Sequence, residues 1–162
     1  MTYKASYDNT VKFVTISFTA LLTFLVFFEL TTLSNIESIF VPVLILCVLL
    51  SVLVVSFLIS VSSYTIETDN ITINKRIGNI VINKSDIQSI KLLSKDDLKW
   101  TIRTFGVGGL FGYYGKFSNR KIGSMTWYVT HRNKTILITT TAGKKILISP
   151  DEPETFITEC NI

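Results

Sequence analysis

Residues 11–62 hold two long apolar runs, Val11–Leu33 and Ile39–Val61, parted by one short polar turn, Thr31–Ser38. Each run is long enough to cross the hydrocarbon core of a bilayer as a helix, which takes about 20 apolar residues. Lipid offers no partners for backbone N–H and C=O groups, so such a run satisfies them internally as a helix. Two runs this close together predict a transmembrane helical hairpin. From Ser63 the chain becomes polar, basic and alternating, which predicts a separate β domain of about 100 residues. The expected organisation is a short cytoplasmic tail at residues 1–10, the hairpin at 11–62 and the β domain at 63–162.

The first run exceeds the apolar length of a secretory signal, and no small-residue cleavage site follows it, so it is expected to stay in the chain. Lys4 and Lys12 flank the first span, and Lys75, Arg76 and Lys84 follow the second. The turn between them holds Glu37 and no Lys or Arg. That asymmetry places both termini in the cytoplasm and the turn outside. Glu29 lies close to the outer end of its span, where headgroup water is within reach, and is expected there rather than on an ion path. Pro42 falls in the first turn of the second span, where a missing N–H breaks no helical bond. Neither span carries a charged stripe, which weighs against a pore.

From Ser63 onward there are 14 Lys and Arg against nine Asp and Glu, and four of those acids fall in the last twelve residues. A basic face of this kind suits an anionic membrane surface or an acidic partner. The same excess also follows from the positive-inside rule alone, and both readings stand. Nucleic acid is not among the expected partners. Cys47 lies in the second span and Cys160 near the C-terminus, so no disulfide joins them. His131 has no second ligand type at metal spacing, and neither a metal nor a cofactor is expected.

The period changes to two after Ser63. Tyr64 and Ile66, then Ile71 and Ile73, alternate with polar residues across the turn Thr68-Asp69-Asn70, which predicts a hairpin. Gly78-Asn79 marks a second turn, and Met125–Thr130 and Thr135–Thr140 are two further strands. The tail from Ser149 through Phe156 has the prolines and acids of a helix start, with Phe156 and Cys160 spaced to face one surface. Strands closed by a C-terminal helix predict a small barrel or sandwich.

The segment Arg103–Phe117 holds five of the eight glycines and five aromatic residues. As a dinucleotide fingerprint it fails, because Phe111 stands where the third glycine belongs and strands follow. It also fails as a phosphate loop ending at Gly115-Lys116, since Leu110 and Phe117 replace the required Gly and Ser or Thr. Two readings are left. In one, the glycines let a long hairpin bend while the aromatic rings fill the domain. In the other, the segment is a binding surface made of Arg103, Phe105, Phe111, Tyr113, Tyr114, Lys116, Phe117, Arg120 and Lys121, with the cations meeting phosphates or an acidic partner.

The pattern Arg103-x-x-Gly106, Gly109, Gly112-Tyr113, Gly115-x-Phe117, Gly123, Met125–Thr130, Ser149-Pro150 and Phe156 resembles the bacterial pleckstrin-homology-like (PH) domains of small membrane proteins. The resemblance covers residues 63–160. It implies a mainly-β PH-like barrel of two orthogonal sheets with a C-terminal capping helix, attached to the transmembrane hairpin in the bacterial cytoplasmic membrane. It carries no catalytic residues, and no enzyme activity is expected. Phosphoinositide binding by basic residues of the first β-turn does not transfer, because Asp69 occupies that turn. The function these readings favour is a membrane-anchored interaction or scaffolding module, binding another protein or itself. Anionic lipid headgroups and a transporter complex are the alternative settings. The domain is expected to fold from Ser63 without its spans.

Overall fold

The computed structural model describes residues 1–32 and 40–160, and in it the chain opens with a strand rather than a tail. β1 (Thr2–Lys4) is followed by the helices α1 (Asn9–Thr32) and α2 (Phe40–Leu58). Then come β2 (Val61–Ile66), β3 (Asn70–Lys75), β4 (Ile80–Asn83), a 3₁₀ turn at Lys84–Asp86 and β5 (Ile87–Leu93). The remaining elements are β6 (Ile102–Gly108), β7 (Tyr113–Asn119), β8 (Gly123–Val129), β9 (Thr135–Thr140), β10 (Lys145–Ile148) and α3 (Pro153–Cys160).

Both α1 and α2 are long and apolar enough to cross a membrane. At 1.5 Å per residue α1 is about 36 Å long, against a hydrocarbon core of about 30 Å. Phe13, Ile16, Phe24 and Phe27 of α1 and Val41, Ile45, Val48 and Val55 of α2 are exposed, as side chains facing lipid would be. Thr19 and Thr23 donate to the carbonyls of Thr15 and Thr19, and Ser51 donates to that of Cys47. Their hydroxyls therefore need no water. From residue 33 on, the expected turn at Thr31–Ser38 lies outside the described residues, as does Glu37.

The strands form two sheets, ordered β1-β2-β3-β4 and β5-β9-β10-β8-β7-β6, antiparallel throughout except for the β10–β8 pair. They are separate hydrogen-bonded ladders, so the domain is a two-sheet sandwich with an end helix and not a closed barrel. Period-two patterning explains the core between them. Tyr64, Ile71 and Ile73 point in from the first sheet, and Tyr114, Ile136, Ile138 and Ile148 from the second. α3 closes one end with buried Phe156 and Cys160, and the Phe156 ring meets Tyr3 of β1 edge to face at 5.1 Å. Tyr64 donates to the Tyr128 carbonyl at 2.7 Å and accepts from the Ser149 N–H at 3.1 Å. Burial pushes its phenol up to about 12.

The larger sheet is covered on its other face too. There Trp127 stacks on Phe117 at 4.2 Å among Tyr113, Met125, Val129 and Leu147. Val11, in the first turns of α1, is fully buried in this second cluster. The sequence reading of residues 1–10 as a tail is therefore corrected at Thr2–Lys4. β1 extends the first sheet, and α1 begins inside the second core. Neither feature shows in local patterning, because three strand residues and one valine carry no period.

Val11 separates the two environments of α1. Val11→Ala should lower the stability of the full chain by about 2 kcal/mol, as large-to-small core substitutions do. Phe13→Ala, two residues on and facing outward, should change it far less. Thermal unfolding in detergent, followed by near-ultraviolet circular dichroism, measures both. Equal effects would place Val11 in lipid.

Candidate functional site: a helix seat and an open strand face

The glycine-rich segment is the β6–β7 hairpin. Gly106 and Gly115 lie opposite each other in its ladder, with φ of 111° and 120°. A Cβ on Gly106 would stand 2.1 Å from the Tyr114 carbonyl oxygen, and one on Gly115 would stand 2.3 Å from that of Phe105. Both backbones thus occupy space that any side chain would take, in a conformation that L residues avoid. The hairpin is bent there. The ladder also shifts register between Arg103 and Phe105, an irregularity of the kind that bends a strand, and the Arg103 guanidinium lies 2.9 Å from where a Cβ on Gly108 would be.

The bend turns the hairpin tip, Gly109–Gly112, onto α1 and α2. Gly109 leaves room for Val14 of α1, whose methyls lie 3.4 and 3.5 Å from its would-be Cβ. The N–H of Phe111 donates to Thr15 Oγ1 at 3.0 Å. Phe111 has a φ of 55°, a strained value for a side-chain-bearing residue. That backbone puts its ring edge-on to Phe57 of α2 at 5.3 Å.

The N-terminus of α1 and the C-terminus of α2 also meet polar groups. Asp8 caps α1, accepting from the Val11 N–H at 2.7 Å and satisfying one of the orphan donors of the first turn. The same carboxylate accepts from the Tyr113 hydroxyl at 3.3 Å and from the Arg132 N–H at 3.2 Å. The Arg132 guanidinium lies 4.2 Å over the Tyr113 ring. Burial raises the Tyr113 phenol above its ordinary value. At the C-terminus of α2 the Leu58 and Ser60 carbonyls accept from Ile77 and Arg76, at 3.1 and 3.2 Å. Arg76 lies 4.0 Å over the Phe57 ring and donates to Ser60 Oγ at 3.2 Å, a cation at the negative end of the helix dipole. Tyr114 ties both sides together, accepting from the Val61 N–H at 3.2 Å and donating to the Phe111 carbonyl.

The nine residues of the expected binding surface divide accordingly. Tyr113, Tyr114 and Phe117 are buried and belong to the core, so they are withdrawn from that surface. Phe111 is half-buried against α2. Arg103, Phe105, Lys116, Arg120 and Lys121 are exposed. Two residues that sequence reasoning passed over join them: Trp100 is 91% exposed and Ile102 65%, beside Phe105 at 76%. Their signal was a tryptophan between Lys99 and Arg103 with no apolar period around it. Trp100 also holds a φ of 56°. Leaving an indole in water forgoes on the order of 4 kcal/mol of burial, so this residue bears a solvation cost and a backbone cost together. An open cleft of about 970 Å³ lies beside it, lined by Lys99, Ile102, Asn119, Arg120 and Lys121 among others. Hydrogen bonds from Ser94, chiefly, and Lys121 hold the nearby Asp97 carboxyl below its ordinary value. Among the described residues there is no group of three or more His, Cys, Asp or Glu that could hold a metal ion.

The seat predicts a steep response to small additions. Gly106→Ala should destabilise the chain by about 3 kcal/mol, combining backbone strain with overpacking. Gly143→Ala is the control, because Gly143 also has a positive φ, 74°, with nothing within 4 Å of its would-be Cβ. It should cost about 1 kcal/mol, the left-handed penalty alone. Chemical unfolding of the two variants in detergent compares them, and equal losses would remove the steric argument.

A family model described as bacterial PH domain matches residues 62–161. No curated protein and no solved structure matches the chain. The matched segment runs from the start of β2 to the end of α3, and so takes in nine of the ten strands and the closing helix described above. On that match, which covers more than half of its length, the chain belongs to the bacterial PH domain family.

Proposed function

We propose that this chain is a membrane-anchored, non-enzymatic interaction module that holds its β6 face toward a partner at the bacterial cytoplasmic membrane surface. The observation that carries the reading is the exposed set Trp100, Ile102 and Phe105, with Lys99, Arg120 and Lys121 lining the same cleft as Trp100 and Ile102 and with Lys116 opposite Phe105 in the ladder. Contiguous exposed aromatic and aliphatic side chains rimmed by charge are what contact surfaces present. Only two residues separate α2 from β2, so the domain is held against the bilayer and samples partners in two dimensions. The seat on α1 and α2 gives that face one fixed attitude.

With both termini cytoplasmic, as the cation asymmetry implies, the face lies on the cytoplasmic side. A cysteine at Ser34 should then be labelled in intact cells by an impermeant maleimide, and one at Ser118 only after lysis. The reverse pattern would sink the topology.

The contact itself is tested in native membranes. A photo-crosslinking side chain at Phe105 should give discrete protein adducts, while one at Val81, exposed on β4, should give none. Adducts at Val81 alone would move the interface to the other sheet.

A further inference from the structure

We propose that the open edge of β6 takes an extended acidic segment of a partner protein as an added strand, with the cleft beside Trp100 receiving one of its apolar side chains. This rests on the interaction reading above and names the chemistry of the partner.

β6 is the last strand of its sheet and pairs only with β7 among the described residues, so its far edge carries unpaired N–H and C=O groups. Such edges are usually short, broken by proline or covered, because they template pairing with other chains. This one runs seven residues without proline, and its side chains are exposed at every position but Val107; its register shifts between Arg103 and Phe105, so an added strand would pair on either side of that irregularity. Main-chain pairing would supply affinity there, and alternate side chains would supply specificity.

The charge selects the occupant. Residues 95–121 hold six Lys and Arg against Asp96 and Asp97. Lys99 and Lys121 are paired with those acids at 2.7 and 3.4 Å. Among the described residues Arg103 and Arg120 have no carboxylate partner. A second copy would set cations against cations, which like-charge juxtaposition disfavours. A lipid leaflet would suit the cations and Trp100, but it cannot pair an open sheet edge, and such edges are not found exposed to hydrocarbon. An acidic strand satisfies the edge, the apolar side chains and the charge together.

The probe is a short synthetic peptide alternating Glu and Val, added to the full chain in zwitterionic lipid nanodiscs. Amide hydrogen exchange over residues 102–108 is the readout. The peptide should slow exchange there saturably and leave β2–β4 unchanged. The same peptide with alternate amides methylated should not, because it cannot form a ladder. Arg103→Glu with Arg120→Glu should weaken the effect about tenfold or more. No slowing, or equal slowing by a Lys–Val peptide, overturns the proposal. So does protection by anionic nanodiscs without peptide, which would make lipid the occupant, or protection that rises with protein concentration, which would make it a second copy. Should the peptide fail while adducts at Phe105 persist, strand addition falls and the interaction surface stands; loss of both removes both.

Discussion

A helix end leaves backbone groups without intrahelical partners, and a helix entering a bilayer must find them before the lipid begins. Here they are met at the N-terminus of α1 by Asp8, which the β domain holds in place, and at the C-terminus of α2 by the β domain itself. Asp8, held by Tyr113 and the Arg132 backbone, caps α1. The N–H groups of Arg76 and Ile77 meet the last carbonyls of α2, and the Arg76 side chain covers Phe57. Between these two caps lies the glycine hairpin tip, whose N–H and aromatic ring touch α1 and α2 respectively. The spans and the sandwich are joined by polar geometry as well as by chain connectivity.

That junction accounts for the composition of the glycine segment better than ligand binding does. Two backbones must approach within the space of a methyl at Gly106 and Gly115 so that the hairpin can bend to the helices. The tyrosines that follow are structural, one reaching Asp8 and the other bridging Val61 to Phe111. Their conversion from surface to core leaves Trp100 and the exposed side of β6 as a place where large apolar groups meet water.

Much of this was legible in the sequence, and the misses have physical causes. Two apolar runs and a change to period two gave the spans, the β2–β3 pairing across Thr68–Asn70 and the inward side chains of α3, since burial writes itself into local periodicity. Closure was not legible, because whether two sheets share hydrogen bonds depends on long-range register. β1 was invisible because its partner lies some 60 residues away, so no neighbouring turn announces it. Asp8 read as a tail charge for the same reason: its partners, Tyr113 and Arg132, are distant in the chain. The aromatic residues of the glycine segment fall on both faces, Tyr113 and Phe117 in one core and Tyr114 in the other, and the register shift between Arg103 and Phe105 resets the face that Phe105 takes. Trp100 stood outside any strand pattern, and its exposure came only with the fold.

The consequence for function is orientation. On the proposed function, a domain on a loose leash would present every face to a partner, whereas a seated one would offer β6 at a fixed angle to α1 and α2. The most direct measurement is the distance distribution between spin labels at Lys12, on the exposed side of α1, and Lys116, on β7, in lipid nanodiscs. A seated domain gives one narrow population that broadens when Asp8 is replaced by Ala. A broad or multimodal distribution in the unaltered chain would contradict the account.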